Sequence, residues 1–293
     1  MAVGISGVWQ KVADYKLLVK FRLTLTVVFS ALMAFFIASK DGVSWMAVLI
    51  LALGGFLVTG AANALNQVLE KDYDKLMKRT AERPLAAGRM TVSEAVLAAG
   101  LMAMAGIMLL ALFNVWAAFF GMLSLVAYSF LYTPLKRYST MAIPVGAVPG
   151  ALPMLIGCVA AEGDLTTLAF ALFAFQFAWQ FPHFWSIGWL GYEDYKKAGY
   201  KMLPERGDER DPNTGLYAAF YALLLIPLGF TLPMLGATGM GSAYFVAGLS
   251  LVYAALGWNL YRKKDRKAAL QLMFGSLIYL PLVLVVFYLD KLA

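Results

Sequence analysis

A polar motif closes the second long apolar stretch of the chain, and it reads Asn66-Gln67-Val68-Leu69-Glu70-Lys71-Asp72-Tyr73-Asp74. Asn66, Glu70 and Asp74 are spaced by four residues, so on a helix their side chains share one face. Such a row of oxygen-bearing side chains is typical of Mg²⁺ sites that a few carboxylates hold and that substrate phosphates complete. The motif therefore predicts a metal site at the end of an apolar helix.

Basic residues follow the motif directly, in the run Arg79-Thr80-Ala81-Glu82-Arg83-Pro84. Arg79 and Arg83 are suited to bind the anion that the metal would carry, because a guanidinium matches phosphate oxygens with paired donors. The alternative is a solvated, charge-balanced loop between two helices. The asparagine, the four-residue spacing and the paired arginines favour the metal and anion site.

The composition of the chain indicates a membrane protein. It has 293 residues, of which 61% are hydrophobic and only 14% charged, which is too apolar for a soluble domain of this length. Nine stretches are long enough to span a bilayer, at residues 22–39, 45–68, 92–113, 115–133, 141–161, 166–190, 216–236, 240–260 and 269–289. The first follows a basic segment, yet further spans follow it and no small-residue cleavage site is evident, so we interpret it as an uncleaved span rather than a signal peptide. The sequence thus predicts an all-α integral membrane protein with about nine transmembrane helices.

The basic residues predict the orientation of the chain in the membrane. All but two of the 24 Lys and Arg, the exceptions being Lys40 and Lys291, fall in the N-terminal tail or in every second loop. By the positive-inside rule the N-terminus and those loops are cytoplasmic. The net charge of +7 is then mainly a signal of topology, and we expect no nucleic-acid partner.

Polar residues also occur within the sixth predicted span. Gln176, Gln180 and His183 are spaced to share one helix face, and Asp194 falls near that face if the helix continues past Gly191. Polar side chains within a span usually face a cavity or the bundle interior and are functional candidates. His183 is the only histidine of the chain. Its alternative role is structural, with the ring bonded to a neighbouring carbonyl.

Two further clusters lie at the ends of spans. Asp194, Tyr195 and Lys201 follow the sixth span, and we expect them to be site residues. Lys136 and Arg137 close the fourth span, where they either bind an anion or anchor the helix end by snorkelling.

The fifth span carries several helix-disrupting residues. Pro144, Pro149 and Pro153, mixed with Gly146 and Gly150, predict an interrupted helix, which at membrane depth is tolerated where the irregular backbone is buried or lines a cavity. The spacing of the two glycines favours close helix packing over ligand binding.

Several of these segments together resemble one known family. They are Asn66 to Pro84, the run Tyr132-Thr133-Pro134-Leu135-Lys136-Arg137, and Phe181-Pro182-His183-Phe184 continued through Asp194-Tyr195 and Ala198-Gly199 to Met202-Leu203-Pro204. In these motifs, and over nearly its whole length, the chain resembles the protohaem IX farnesyltransferases, a branch of the UbiA superfamily of intramembrane prenyltransferases. The first motif marks the superfamily, and the Pro-His-Phe segment marks the haem branch.

The resemblance implies a fold and a reaction. The fold is a single domain over residues 1–293, a nine-helix bundle around a central cavity, with an N-terminal tail at 1–21 and two cytoplasmic site loops at 66–91 and 191–215. The reaction transfers the farnesyl group of farnesyl diphosphate to a vinyl group of haem b, with water adding to give haem O. The partners are then haem b, farnesyl diphosphate, membrane lipid and the next haem-modifying enzyme or oxidase assembly factors, in the inner (plasma) membrane of a bacterium.

The resemblance also implies residue roles. Metal binding falls to Asn66, Glu70, Asp74 and, from the second loop, Asp194, with Asp72 as a supplementary ligand. Diphosphate binding falls to Arg79, Arg83, Lys136 and Lys201. His183, flanked by Gln180, would order the water, accept its proton or ligate the haem iron. The chain departs from the superfamily where two aspartates four residues apart are usual, because Leu190 stands four residues before Asp194. The number of Mg²⁺ ions is therefore left open.

Three other functions are compatible with parts of the pattern. A prenyltransferase acting on an aromatic acid or a quinone precursor would share the first motif. A transporter would carry intramembrane Gln and His but would not need the cluster from Asn66 to Arg83. A purely structural membrane subunit leaves both acidic loops unexplained.

Overall fold

The computed structural model describes residues 5–40, 42–207 and 209–292, and almost all of them are helical. The helices are α1 (Ile5–Leu18), α2 (Phe21–Ala38), α3 (Trp45–Asp74), α4 (Val92–Ala111), α5 (Val115–Val126), α6 (Thr133–Leu135), α7 (Ala142–Glu162), α8 (Thr167–Leu190), α9 (Tyr192–Lys197), α10 (Thr214–Met234), α11 (Met240–Lys263) and α12 (Arg266–Leu289). A π-helical segment, Ala127–Tyr132, joins α5 to α6, and a two-stranded hairpin of β1 (Glu205–Arg206) and β2 (Glu209–Arg210) follows α9.

Within the described residues, eight helical segments are long and apolar enough to cross a membrane. The chain is therefore an all-α integral membrane protein, as the composition predicts. The remaining predicted span corresponds to α8, a helix of 24 residues that carries Gln176, Gln180 and His183 and is not one of those eight. The count of nine spans stays a prediction.

Helix α3 is the longest element, with 30 residues, or about 45 Å at 1.5 Å per residue. It runs beyond the predicted span to Asp74, so the whole polar motif is helical and the first site loop begins only at Lys75. Asn66, Glu70 and Asp74 are all buried, at 0%, 5% and 1% exposure. The prediction that they share one helix face is confirmed.

Helix α7 is continuous, so the predicted interruption of the fifth span is wrong. Pro149 and Pro153 lie inside it. Because Pro153 has no N–H to donate to the carbonyl four residues earlier, the Pro149 carbonyl instead accepts a hydrogen bond from the Ser124 hydroxyl of α5, at 3.4 Å. Gln176 of α8 donates to another α7 carbonyl, that of Gly150, at 2.6 Å. Neighbouring helices thus satisfy backbone groups of α7, as membrane helices with proline require.

Glycines allow the helices around α7 to approach closely. A Cβ at Gly150 would lie 1.9 Å from Oε1 of Gln180, and a Cβ at Gly157 would lie 2.1 Å from the Ala31 carbonyl oxygen of α2. These contacts confirm the packing role that the sequence favoured for Gly150.

Helix α1 lies at the end of the bundle that carries the first site loop. Its Lys11 forms an ion pair with Glu94 at the start of α4, at 2.9 Å. Its Asp14, 1% exposed, accepts from Arg89 of the loop at 2.9 Å. The basic N-terminal segment and this loop are therefore on the same side, which agrees with the charge pattern.

We expect Gly157→Ala to destabilise the bundle, because the new methyl would meet the backbone of α2 rather than a side chain that can move. Overpacking of this kind costs about 1–3 kcal/mol. The thermal unfolding temperature of the purified protein in detergent should fall. Gly248→Ala in α11 is the matched control, since its Cβ would have no neighbour within 4 Å. An unchanged unfolding temperature for Gly157→Ala would contradict the close α2–α7 contact.

Candidate active site

The buried face of α3 pairs each carboxylate with a cation from another part of the chain. Glu70 Oε1 accepts from Lys136 Nζ at 2.6 Å, and Glu70 Oε2 lies 3.9 Å from Arg83 Nη1. The same Arg83 nitrogen lies 2.8 Å from both oxygens of Asp74. Two of the predicted diphosphate-binding cations, Lys136 and Arg83, are thus gathered at the predicted metal ligands.

Lys20 joins this cluster although the sequence indicated it only as a topology signal. Its Nζ donates to Oδ1 of Asn66 at 2.7 Å. Its backbone has φ 47° and ψ 56°, a left-handed conformation that is uncommon for a residue with a Cβ. Burial, and then the positive charges of Arg83 and Lys136, lower the pKa of Lys20 well below its usual value. The strained turn between α1 and α2 therefore directs a basic side chain at the first residue of the motif.

The π-helical segment after α5 positions the other side of the cluster. The Thr133 hydroxyl donates to the Tyr128 carbonyl at 2.9 Å and accepts from Nδ2 of Asn66 at 3.0 Å. The wider π-helical turn therefore places Thr133 beside Asn66. Lys136 follows one helical turn later, and its Nζ lies 4.5 Å from the centre of the Tyr132 ring. Irregular turns of this type are frequent at functional sites.

Aromatic side chains surround the cations. The Arg137 guanidinium donates to the Tyr73 hydroxyl and lies 4.7 Å from the centre of that ring. The Tyr200 ring packs 5.8 Å from the Tyr73 ring. Burial, followed by the Glu70 and Asp74 carboxylates, raises the pKa of Tyr200, so its hydroxyl stays protonated. The sequence signal for Tyr73 and Tyr200 was only their position beside charged motifs.

The two site loops meet over this cluster. Arg79 of the first loop donates to the Tyr195 hydroxyl of the second at 3.0 Å, and Met77 packs with Ala198 and Tyr200. The backbone N–H of Lys201 donates to the Lys136 carbonyl at 2.7 Å. The structure thus brings together segments that are more than a hundred residues apart, as the predicted site requires.

Three predicted site residues, Asp72, Lys201 and Asp194, do not bond to the clustered side chains. Asp72 points away from the cluster, because its side chain is 75% exposed and, in the described part of the chain, forms an ion pair with Lys75 alone, at 3.1 Å. The Lys201 side chain is exposed. Asp194 is half-buried and, among the described residues, its carboxylate has no hydrogen bond or ion pair. The sequence placed Asp194 near the face of His183 only if the helix continued past Gly191. Helix α8 ends at Leu190, so this condition is not met and Asp194 belongs to α9.

The polar residues of α8 lie on one side of the helix, as their spacing predicts, but they bond to two different neighbouring helices. Gln176 and Gln180 donate to the α7 carbonyls of Gly150 and Ala147 at 2.6 and 2.9 Å. His183 instead contacts α12, where its Nδ1 lies 2.7 Å from the Ser276 hydroxyl. The angular offset between Gln180 and His183 is small along the helix, but α7 and α12 pack on adjacent sides of it. Gln180 is therefore occupied by helix packing.

The donor atoms on α3 fit a hard divalent cation. Asn66, Glu70 and Asp74 offer one amide oxygen and two carboxylate groups as metal ligands. Within the described residues, no three or more His, Cys, Asp or Glu side chains cluster. Two carboxylates and an amide leave coordination positions for other oxygens. Mg²⁺ is commonly held in this way, by one or two carboxylates with substrate phosphates and water completing the octahedron.

The helical membrane bundle thus presents buried carboxylates and cations beneath two loops with basic side chains, an arrangement that points to an enzyme. The sequence profile of the UbiA prenyltransferase family matches residues 27–278, and the chain belongs to this family. It is therefore a prenyltransferase. The chain is 45% identical over 278 residues to a protoheme IX farnesyltransferase of Cytophaga hutchinsonii, covering 94% of this chain and 97% of that one. It is 40% identical over 286 residues to one of Christiangramia forsetii, covering 95% and 93%.

Solved structures share the fold at low sequence identity. A structure concerned with digeranylgeranylglyceryl phosphate synthase has a TM-score of 0.79 at 18% identity and covers 96% of this chain and 98% of its own. A UbiA homolog from Archaeoglobus fulgidus, bound to DMAPP and Mg²⁺, has a TM-score of 0.65 at 15% identity and covers 94% and 99%. The all-helical architecture is therefore that of the family.

We expect Asp74→Asn to destabilise the folded protein, because it removes the charge that holds Arg83 in a mostly buried position. Loss of a hydrogen-bonded partner of a charged group costs about 1.5–3 kcal/mol. The unfolding temperature in detergent should fall, whereas Asp72→Asn on the same helix should leave it unchanged because Asp72 is exposed. Equal stability of the two variants would show that the Asp74–Arg83 pair contributes nothing to the fold.

Proposed function

We propose that this protein transfers the farnesyl group of farnesyl diphosphate to a vinyl group of haem b, releasing diphosphate and giving haem O after addition of water. One observation supports it above all. The buried oxygens of Asn66, Glu70 and Asp74 are enclosed by Lys20, Lys136 and Arg83. The similar proteins are protoheme IX farnesyltransferases, which supports haem as the acceptor and farnesyl as the transferred group.

The charge balance of the cluster suits a diphosphate. Lys136 and Arg83 pair with the two carboxylates, whereas Lys20 donates to the neutral amide of Asn66. Burial and the two neighbouring cations lower the pKa of Lys20, so its charged form has no anionic partner of its own. A buried charge without a partner is unfavourable, and an incoming anion would pair with it. The exposed or half-buried Arg79, Arg137 and Lys201 border the same loops and are suited to guide the anion inward.

Bond cleavage separates charge at this site. The bond between the allylic carbon and the diphosphate oxygen breaks, and the leaving group takes the electron pair. Lys136, Arg83 and Lys20 stabilise that negative charge because they are positioned before the reaction begins. Mg²⁺, when bound, would supply further stabilisation of the leaving oxygen. Asn66, Glu70 and Asp74 would hold it, with Asp194 as the candidate ligand from the second loop.

Carbon–carbon bond formation follows at the vinyl group. The farnesyl carbon bonds to the terminal vinyl carbon, and water adds at the carbon next to the porphyrin and loses one proton. The cationic farnesyl carbon must be kept from water before it meets the vinyl group, which an apolar bundle provides. We propose that the reaction takes place in the inner membrane of a bacterium with the site loops in the cytoplasm, as the charge pattern favours.

We expect the chain, expressed in bacteria that lack their own enzyme, to produce haem O, identified by mass in the extracted haems. Glu70→Gln should reduce turnover by orders of magnitude, because Glu70 is both a metal ligand and the partner of Lys136. Washing the membranes with a chelator should have the same effect, reversed by Mg²⁺. A prenylated phenol in place of haem O would identify an aromatic acceptor instead, and full activity after chelation would exclude the metal role.

We expect Lys20→Met to weaken the binding of inorganic pyrophosphate with Mg²⁺ by about tenfold, measured by calorimetry on protein in micelles. The estimate corresponds to about 1.4 kcal/mol, in the range of one hydrogen bond to a charged group. Lys16→Met is the control, because Lys16 lies on the same segment and is exposed. If both variants bound pyrophosphate like the unchanged protein, Lys20 would have no part in the site.

A further inference from the structure

His183 and Ser276 form a polar contact between two helices that the diphosphate site does not use. The His183 ring stacks on Trp179 of α8, with ring centres 5.1 Å apart and planes inclined by 13°. Its Nδ1 lies 2.7 Å from Oγ of Ser276 on α12. Trp179 also reaches α12, where its Nε1 donates to the Ser276 carbonyl at 3.1 Å. The ring is thus fixed on one face and at one edge.

The protons of this contact can be assigned from the hydrogen bonds of Ser276. Its Oγ lies 2.5 Å from the Met273 carbonyl oxygen, one turn earlier on α12. A carbonyl can only accept, so a contact this short requires the hydroxyl proton to lie between the two oxygens. The serine has no second proton to give to His183. Nδ1 of His183 must therefore carry the proton and donate it to the Ser276 oxygen.

The assignment determines the chemistry of the opposite nitrogen. A neutral imidazole carries one proton, so a proton on Nδ1 leaves a free lone pair on Nε2. Among the described residues, none forms a hydrogen bond with Nε2, and the side chain is only half-buried. A histidine that only filled a packing position would be expected to have both ring edges satisfied.

We propose that Ser276 is a positioning residue that holds His183 as the Nδ1–H tautomer and so offers Nε2 to the iron of the haem substrate. The inference rests on the proposed function for the identity of that ligand. Metal-bound histidines usually donate their second ring nitrogen to a nearby acceptor, which orients the ring, and loss of that acceptor typically costs 10–100-fold in metal affinity. Here the acceptor is a hydroxyl whose own proton is already committed to Met273.

The tautomer can be measured without substrate, because His183 is the only histidine of the chain. Protein labelled with ¹⁵N-histidine and purified without a histidine tag should give a single pair of ring nitrogen signals. We expect the protonated nitrogen to be Nδ1 in the unchanged protein and in Ser276→Thr, which keeps a hydroxyl. In Ser276→Ala the proton should move partly or wholly to Nε2.

Ser250→Ala is the matched control for this measurement. Ser250 is equally buried, at 0% exposure, and its hydroxyl bonds to Tyr279 at 2.6 Å rather than to His183. We expect the His183 tautomer to be unchanged in this variant. A proton on Nε2 in the unchanged protein, or the same tautomer in Ser276→Ala as in Ser250→Ala, would overturn the positioning role.

A haem titration tests the ligand. The position of the main haem absorption band, followed as haem b is added, should shift in the unchanged protein, in Ser276→Thr and in Ser250→Ala. In Ser276→Ala the affinity should fall about 10–100-fold. Equal haem affinity and an identical spectrum in Ser276→Ala would overturn iron ligation. If the tautomer results hold while the expressed chain makes no haem O, the proposed function fails and the assignment at Ser276 stands.

Discussion

Two carboxylates buried at the end of α3 are the constraint on which the site depends. A charged group removed from water is stable only when it is paired and hydrogen-bonded. Glu70 and Asp74 meet this requirement with Lys136 and Arg83, at 2.6 and 2.8 Å. This need for pairing constrains two other parts of the chain. The α5–α6 junction must place Lys136, and the first loop must place Arg83, against the same face of α3.

The same constraint accounts for the irregular backbone around the cluster. Lys20 adopts a left-handed conformation, and the segment before Lys136 is π-helical. Both depart from the regular helix at a cost. Each departure directs a side chain toward Asn66, since Lys20 and Thr133 bond to its two amide atoms. Because both atoms of the Asn66 amide are hydrogen-bonded, its side chain is held in one orientation before any ligand binds.

Deeper in the bundle, two polar side chains form hydrogen bonds with the backbone of a neighbouring helix. Gln176 and Gln180 donate to carbonyls of the proline-containing α7, where no water is available to do so. His183 differs from them because it bonds to a hydroxyl of α12, and among the residues that the structure describes none bonds to its second ring nitrogen. Two glutamines and a histidine with helical spacing in the sequence therefore have different hydrogen-bond partners, which the neighbouring helices decide.

The sequence by itself determined the membrane setting, the approximate limits of the spans, the single face of Asn66, Glu70 and Asp74, and the family. These properties depend on local composition and on helical periodicity, which are written in consecutive residues. Helical periodicity also accounts for the exposure of Asp72, because a residue two positions from Asp74 lies on the opposite side of the helix.

Only the tertiary structure decided which residues meet. Lys20 and Tyr200 join the cluster because the α1–α2 turn and the second loop pack against α3, and both residues are too far from the motif in the chain for a local pattern to reveal it. The continuity of α7 was also decided by its neighbours, because its Pro149 and Gly150 carbonyls accept hydrogen bonds from Ser124 of α5 and Gln176 of α8. Pairing of buried polar groups is a long-range property, so it becomes visible only when the helices are in place.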